Sequence, residues 1–240
     1  MRRALASIAI VLCLQTARAR ADECRELTEA EVRARLREAS LIVAEEEPAM
    51  RRWWATFLLA HVTMATATAL IATSTPSSRD AMIVNTVSSS IAFLSLLVVT
   101  PPIVGAGGSL RPIAEDSPAA RLAKLRLTEG LLQRQTNQTA FVRSWVPVTL
   151  SAAYITGASL TQLLAVGSIG GALLHAIGGS ILGLGRLLLH PTSTRDRYER
   201  YLRAHGGPSC DPQVSRQTAA LEPSWSFVPQ GIGLGFVMSF

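Results

Sequence analysis

Two imidazoles and two amides lie inside long apolar stretches of this 240-residue chain, and any chemistry would have to start from them. His61 and His175 carry the side chain whose ordinary pKa places a change of charge near neutral pH. Asn85 and Gln162 carry amides that hydrogen-bond across helices in an apolar setting. An ionisable residue in such a stretch marks an ion path, a proton relay or a ligand site. The plainer reading is a polar group satisfied by its neighbours within a helix bundle. At 1.5 Å per residue, His61 lies about 12 Å below the outer end of its helix and His175 about 21 Å below the outer end of its own. The two are therefore not expected to share a ligand.

Nothing else nominates a reaction. The chain has no HExxH, no P-loop, no Ser/His/Asp set in a supporting context and no pair of carboxylates in an apolar setting. No His/Cys spacing suggests zinc or another metal, and no cofactor is implied, so the expectation is a non-enzymatic protein. The run Glu45 to Glu47 reads as a solvated face or as a partner to Arg51 and Arg52. A count of 23 Lys plus Arg against 17 acids, with a pI near 10.0, invites a nucleic-acid partner. Removing Arg2, Arg3, Arg18 and Arg20 with an N-terminal export signal leaves 19 bases against 17 acids, a net +2. That leaves no phosphate-binding surplus.

The signal itself spans residues 1–21: basic Met1-Arg2-Arg3, an apolar run from Ala4 to Leu14, and the small-residue site Ala19-Arg20-Ala21. Cleavage after Ala21 is expected, with an uncleaved anchor as the alternative. An exported chain keeps Cys24 and Cys210, the number needed for one disulfide, in an oxidising compartment. Two free thiols are the alternative. With 22 Arg to one Lys and an Ala-x-Ala site, the source reads as a bacterium with a GC-rich genome.

The elements that must position the four polar residues are helices of membrane-spanning length. Spans are expected at about 53–73, 81–99, 145–166 and 168–189, in two hairpins turned by Ser74 to Asp80 and by Gly167 to Gly171. Trp53, Trp54 and Trp145 stand at the entrances, where interfacial indoles belong. Gly171, Gly179 and Gly183 recur on one face and suit close helix packing. Arg186 is expected to snorkel to the interface. Much Ser, Thr, Gly and Ala in these segments keeps a soluble buried bundle open as an alternative.

Each hairpin is preceded by an amphipathic helix. Thr28-Glu29-Ala30-Glu31 is a capping box ahead of the stripe Val32, Leu36, Ala39 and Val43. Ser117-Pro118 starts the second such helix, with Leu122, Leu125, Leu131 and Leu132 on it. A shift of 89 residues superposes Thr28 on Ser117, Leu36 on Leu125 and Val43 on Leu132, which reads as a duplication. The expected organisation is all-α: signal 1–21, one unit over 22–104, a second over 105–190, and an exported tail over 191–240. Two spans per unit relates the copies in parallel.

In the tail, an Arg-rich helix with Tyr198, Tyr201 and Leu202 follows candidate caps Ser193 and Thr194 and stops at Gly206-Gly207. It reads as solvated or lying at headgroup level. Trp225 to Phe240 alternates around Pro229-Gln230-Gly231 and reads as a β-hairpin. Its last strand resembles the closing strand of bacterial outer-membrane barrels, which ends in an aromatic residue. That resemblance implies strand addition to a partner sheet; a hairpin packed on its own chain is the alternative.

A cleaved signal and four spans place both mature termini, and both cysteines, on the periplasmic side of the inner membrane. The same topology puts Arg111, Arg121, Lys124, Arg126, Arg134 and Arg143 outside, against the positive-inside tendency. The functional expectation is a scaffolding or interaction protein of the cell envelope, in contact with the bilayer, with an envelope partner at Trp225 to Phe240. The alternatives are a small channel or transporter unit, built as a homo-oligomer with a path lined by His61, Asn85, Gln162 and His175, and a soluble exported bundle that binds lipid.

Overall fold

The computed structural model describes residues 27–209, 224–230 and 233–239. The signal segment 1–21, Cys24 and Cys210 lie outside the described residues, and so does the disulfide expected between the two cysteines. The chain divides into two units, Glu29–Gly207 and a second made of Met1–Thr28 with Pro208–Phe240. The larger unit is all-helical. In the smaller, strands β1 (Ser224–Gln230) and β2 (Gly233–Ser239) pair antiparallel, with Trp225 opposite Met238 and Phe227 opposite Phe236. Pro229 and Gln230 are ladder positions opposite Leu234 and Gly233.

Helix α1 runs from Glu29 to Ser74 without interruption. The amphipathic helix and the span expected from about residue 53 are thus one continuous helix, with Pro48 inside it. Pro48 removes the donor for the Ala44 carbonyl, but both residues are exposed and water can take that carbonyl. On the opposite face Glu46, Glu47 and Met50 are buried and held by other helices. The stripe Val32, Leu36, Ala39 and Val43 is buried and continues through Met50.

A 3₁₀ turn, Pro76–Ser78, leads into α2, Arg79–Val98, which folds back on α1. Thr68 Oγ1 and Thr86 Oγ1 bond at 2.8 Å halfway along this hairpin, and Trp54 Nε1 donates to the Leu96 carbonyl at 2.9 Å near its base. After the one-turn helix α3, Ala106–Leu110, Ser117 caps α4, Pro118–Val142, by accepting from the Ala120 amide at 3.1 Å. A break at Arg143-Ser144 separates α4 from α5, Trp145–Leu164. Ser168 then caps α6, Ile169–Gly179, which continues through a π turn at Ser180–Leu184 into α7, Gly185–Leu188.

The last helix, α8, spans Ser193–His205 and ends on Gly206 at φ +71°, a left-handed position that glycine adopts without strain. Its N-cap is Thr192 rather than Ser193 or Thr194. The hydroxyls of Ser193 and Thr194, already inside the helix, both donate to Glu46 Oε2. Far from lying solvated, α8 buries Tyr198 and Tyr201 against the amphipathic half of α1 and α4, with Leu36, Leu125 and Leu132.

Two regions of opposite character result. The head, formed by the first half of α1 with α4 and α8, has an apolar interior. In the hairpin half, formed by the second half of α1 with α2, α5, α6 and α7, large apolar residues face outward. Leu59, Leu70, Ile91, Leu94, Leu173, Ile177 and Ile181 expose between 56% and 65% of their area. Among the described residues, three helical stretches are long and apolar enough to cross a membrane: Glu29–Ser74, Pro76–Val98 and Ile169–His205. Helix α5 is not among them, because Thr149, Ser151, Thr156, Ser159, Thr161 and Gln162 dilute its apolar residues.

Candidate functional site

Close approach of α2 and α6 creates the centre of the hairpin half. A Cβ added at Gly171 would stand 2.5 Å from Ala81 Cβ and 2.5 Å from Gln162 Oε1, so only glycine fits there. One turn along each helix, Asn85 and His175 meet, with His175 Nδ1 2.8 Å from Asn85 Oδ1. Gln162 Nε2 donates to the same Oδ1 at 3.3 Å, and Asn85 Nδ2 donates to Gln162 Oε1 at 3.5 Å. Three of the four polar residues singled out from sequence therefore form one buried network. Because Asn85 Oδ1 only accepts, His175 holds its proton on Nδ1, and Nε2 keeps a bare lone pair.

That lone pair has no partner among the described residues. It faces a cavity of about 300 Å³ between the hairpins, whose lining includes His61, Asn85, Tyr154, His175 and Arg186. The Tyr154 hydroxyl donates to Ser88 Oγ at 2.7 Å, and its ring lies edge-on to His175 at 6.0 Å. His61, only 4% exposed, has no partner at either ring nitrogen among the described residues. His61 and His175 therefore line one cavity, which their depths along the sequence did not suggest.

Arg186 lines this cavity too, donating from Nη1 to Ser95 Oγ at 3.3 Å. Gly179 and Gly183 let α5 come near, since added Cβ atoms would stand 3.0 and 3.4 Å from Ile155. Of the three entrance tryptophans, Trp53 packs edge-on against His190 at 4.6 Å, Trp54 is anchored to α2, and Trp145 is 75% exposed.

A second polar constellation, in the head, was missed from sequence. Glu47 accepts from the amides of Gly105 and Gly107, at 3.1 and 2.8 Å, and from Arg51. Burial alone would raise its pKa, but the Gly107 amide, Arg51 and the Gly105 amide together hold it below the usual carboxylate value. Glu46 takes Ser193, Thr194 and Arg197. Across the head, buried Glu129 accepts from the Tyr201 hydroxyl and lies 3.8 Å from Arg35, which also donates to the Gly207 carbonyl at 2.9 Å. Burial and the adjacent Glu129 carboxylate push the Tyr201 hydroxyl's pKa up. Glu46 and Glu47 thus clamp helices together, and the expected pairing of the run with Arg51 is met at Glu47, whereas Glu45 stays exposed. A signal was present in the spacing: Glu46, Glu47 and Met50 follow Val43 at three, four and seven residues, which keeps them on the buried stripe.

Among the described residues, no group of three or more His, Cys, Asp or Glu side chains is placed to hold a metal ion. No family model matches the chain, and no curated protein and no solved structure is similar to it.

Proposed function

We propose that the protein is a non-enzymatic membrane protein of the bacterial cell envelope. Its two hydrophobic hairpins cross the inner membrane four times, and its head is a periplasmic platform for interaction or scaffolding. The observation that carries this reading is the outward apolar surface of the hairpin half, beside a head whose core of Val32, Leu36, Val43, Leu125 and Leu132 is buried. A soluble bundle would leave that surface in water, and a soluble monomer rarely exposes large contiguous apolar patches. Helix α5 crosses despite its polarity because it packs on α6 through Gly179 and Gly183.

Under this reading the two hairpins are parallel copies of one unit. Contacts between residues 90 apart support it: Ala81 lies against Gly171, and Asn85 bonds His175. Equivalent positions touch where a pseudo-two-fold axis passes between copies. The step is one residue longer than the 89 that relates the caps Thr28 and Ser117. Export by residues 1–21, a Cys24–Cys210 disulfide and docking through Trp225 to Phe240 complete the proposal.

The test is alkaline carbonate extraction of the expressed protein, followed by gels with and without reductant. Retention in the membrane pellet and a mobility shift on reduction are expected. Release into the supernatant would overturn the membrane reading. A second reading, a conducting or transporting unit, is favoured by the cavity that joins His61 to His175. It requires ion flux in proteoliposomes that is lost in His61→Ala or His175→Ala.

A further inference from the structure

Two unmet electrostatic demands open into the cavity from one continuous helix. Arg186 is a half-buried cation whose one hydrogen bond goes to a neutral hydroxyl, and no carboxylate pairs with it among the described residues. A charge in an apolar setting needs a counter-charge. At the other end, His175 Nε2 is a lone pair on a side chain 6% exposed, and it needs a donor. His61 opens into the same cavity with two nitrogens unpartnered among the described residues, able to give a proton to one group and accept from another. The remaining walls, among them Ile155, Leu174 and Leu182, are apolar.

From Arg186 to His175 the helix rises by about 16 Å, so one elongated molecule reaches both ends. We propose that the cavity binds an aliphatic carboxylate that carries a hydroxyl at the far end of its chain. The carboxylate accepts from the Arg186 guanidinium and a His61 N–H, the chain lies against the apolar walls, and the terminal hydroxyl donates to His175 Nε2. The π turn at Ser180–Leu184 contributes Leu182 and Gly183 to the lining, and such turns recur where helices form functional sites. The site does not require the hairpins to span a bilayer, so failure of carbonate retention and failure of binding are separate results.

The experiment uses the purified full chain in zwitterionic phosphatidylcholine nanodiscs and ω-hydroxydodecanoate with a ¹³C-labelled carboxyl. A bound carboxylate gives a saturable NMR signal, distinct from that of acid dissolved in lipid. Dodecanoate, lacking the hydroxyl, is expected to bind about tenfold more weakly. Dodecanol, lacking the charge, is expected to compete hardly at all. Arg186→Gln should lower affinity about tenfold or more, Arg186→Lys should retain most of it, and His175→Phe should erase the preference for the hydroxyl. Ala92→Phe, which adds bulk to the lining without removing a polar group, should abolish binding while the protein stays folded by circular dichroism. Non-saturable partition alone, equal binding of dodecanol, or displacement by inorganic phosphate as effective as by the free acid would each overturn the proposal.

Discussion

Head and hairpins bury opposite things. In the head, buried charges come with partners: Arg35 with Glu129, Glu46 with Arg197, Glu47 with two backbone amides and Arg51. In the hairpin half, His61 and His175 Nε2 keep unmet bonds and large apolar side chains face out; the head has an unmet neutral group of its own among the described residues, the Tyr198 hydroxyl. Under the membrane reading, one chain is fitted to two surroundings. In water, polarity moves outward and buried charge must be fully paired. Against lipid, apolar surface moves outward.

That contrast breaks most readily at Glu129. Glu129→Ala takes the acceptor from the Tyr201 hydroxyl and the counter-charge from buried Arg35, and about 3 to 5 kcal/mol of head stability should be lost in urea titration. Loss below about 1 kcal/mol would mean that the pairing does little for the head. Next in size is a charge on the outward face of the hairpins. Ile177→Arg should cost about 3 kcal/mol of insertion and shift protein from the carbonate pellet to the supernatant. An unchanged distribution would show that this face does not meet lipid.

Glu47→Ala follows, at about 2 kcal/mol, because the Gly105 and Gly107 amides lose their acceptor. It also has a pH signature. The folded pKa of Glu47 lies below its ordinary value of 4.5, so its stabilisation is present above that value and is lost as pH falls through the folded pKa. Glu47→Gln should therefore flatten the acid limb of the stability profile; an unaltered limb would assign acid unfolding to other groups. Asn85→Ala should cost about 1 kcal/mol by thermal shift in detergent, the usual size of an interhelical hydrogen bond in membranes. Smallest is Leu41→Ser on the exposed face of the head, expected within about 0.5 kcal/mol of wild type.

The elements themselves were largely legible from sequence, because period and punctuation are local properties. The Val32-to-Val43 stripe, the Ser117-Pro118 start and the turn clusters at Ser74 to Asp80 and Gly167 to Gly171 depend on a few adjacent residues each. What was illegible depends on partners distant in sequence. Glu46 and Glu47 read as solvated or as partners of Arg51 and Arg52, and only Gly105, Gly107 and Ser193, far along the chain, show the rest of their contacts. The same holds for the site. Asn85, Gln162 and His175 stood out as polar residues in apolar surroundings, but their convergence needed the approach that Gly171 permits. The shared cavity of His61 and His175 was missed because depth along a straight helix says nothing of which gap a side chain opens into.

The two hairpins join the head differently. The first is the direct continuation of α1, through Pro48, with no joint between Met50 and Ser74. The second enters across the break at Arg143-Ser144, and Arg143 Nη1 holds the Leu188 carbonyl at 2.7 Å, tying the hairpin's entrance to its exit. One wall of the cavity is therefore a head helix prolonged, and the other is joined to the head by two short connections, at Arg143-Ser144 and from Leu189 to Thr192. The bonds from Asn85 to His175 and from Ser95 to Arg186 are then what fix the width of the gap.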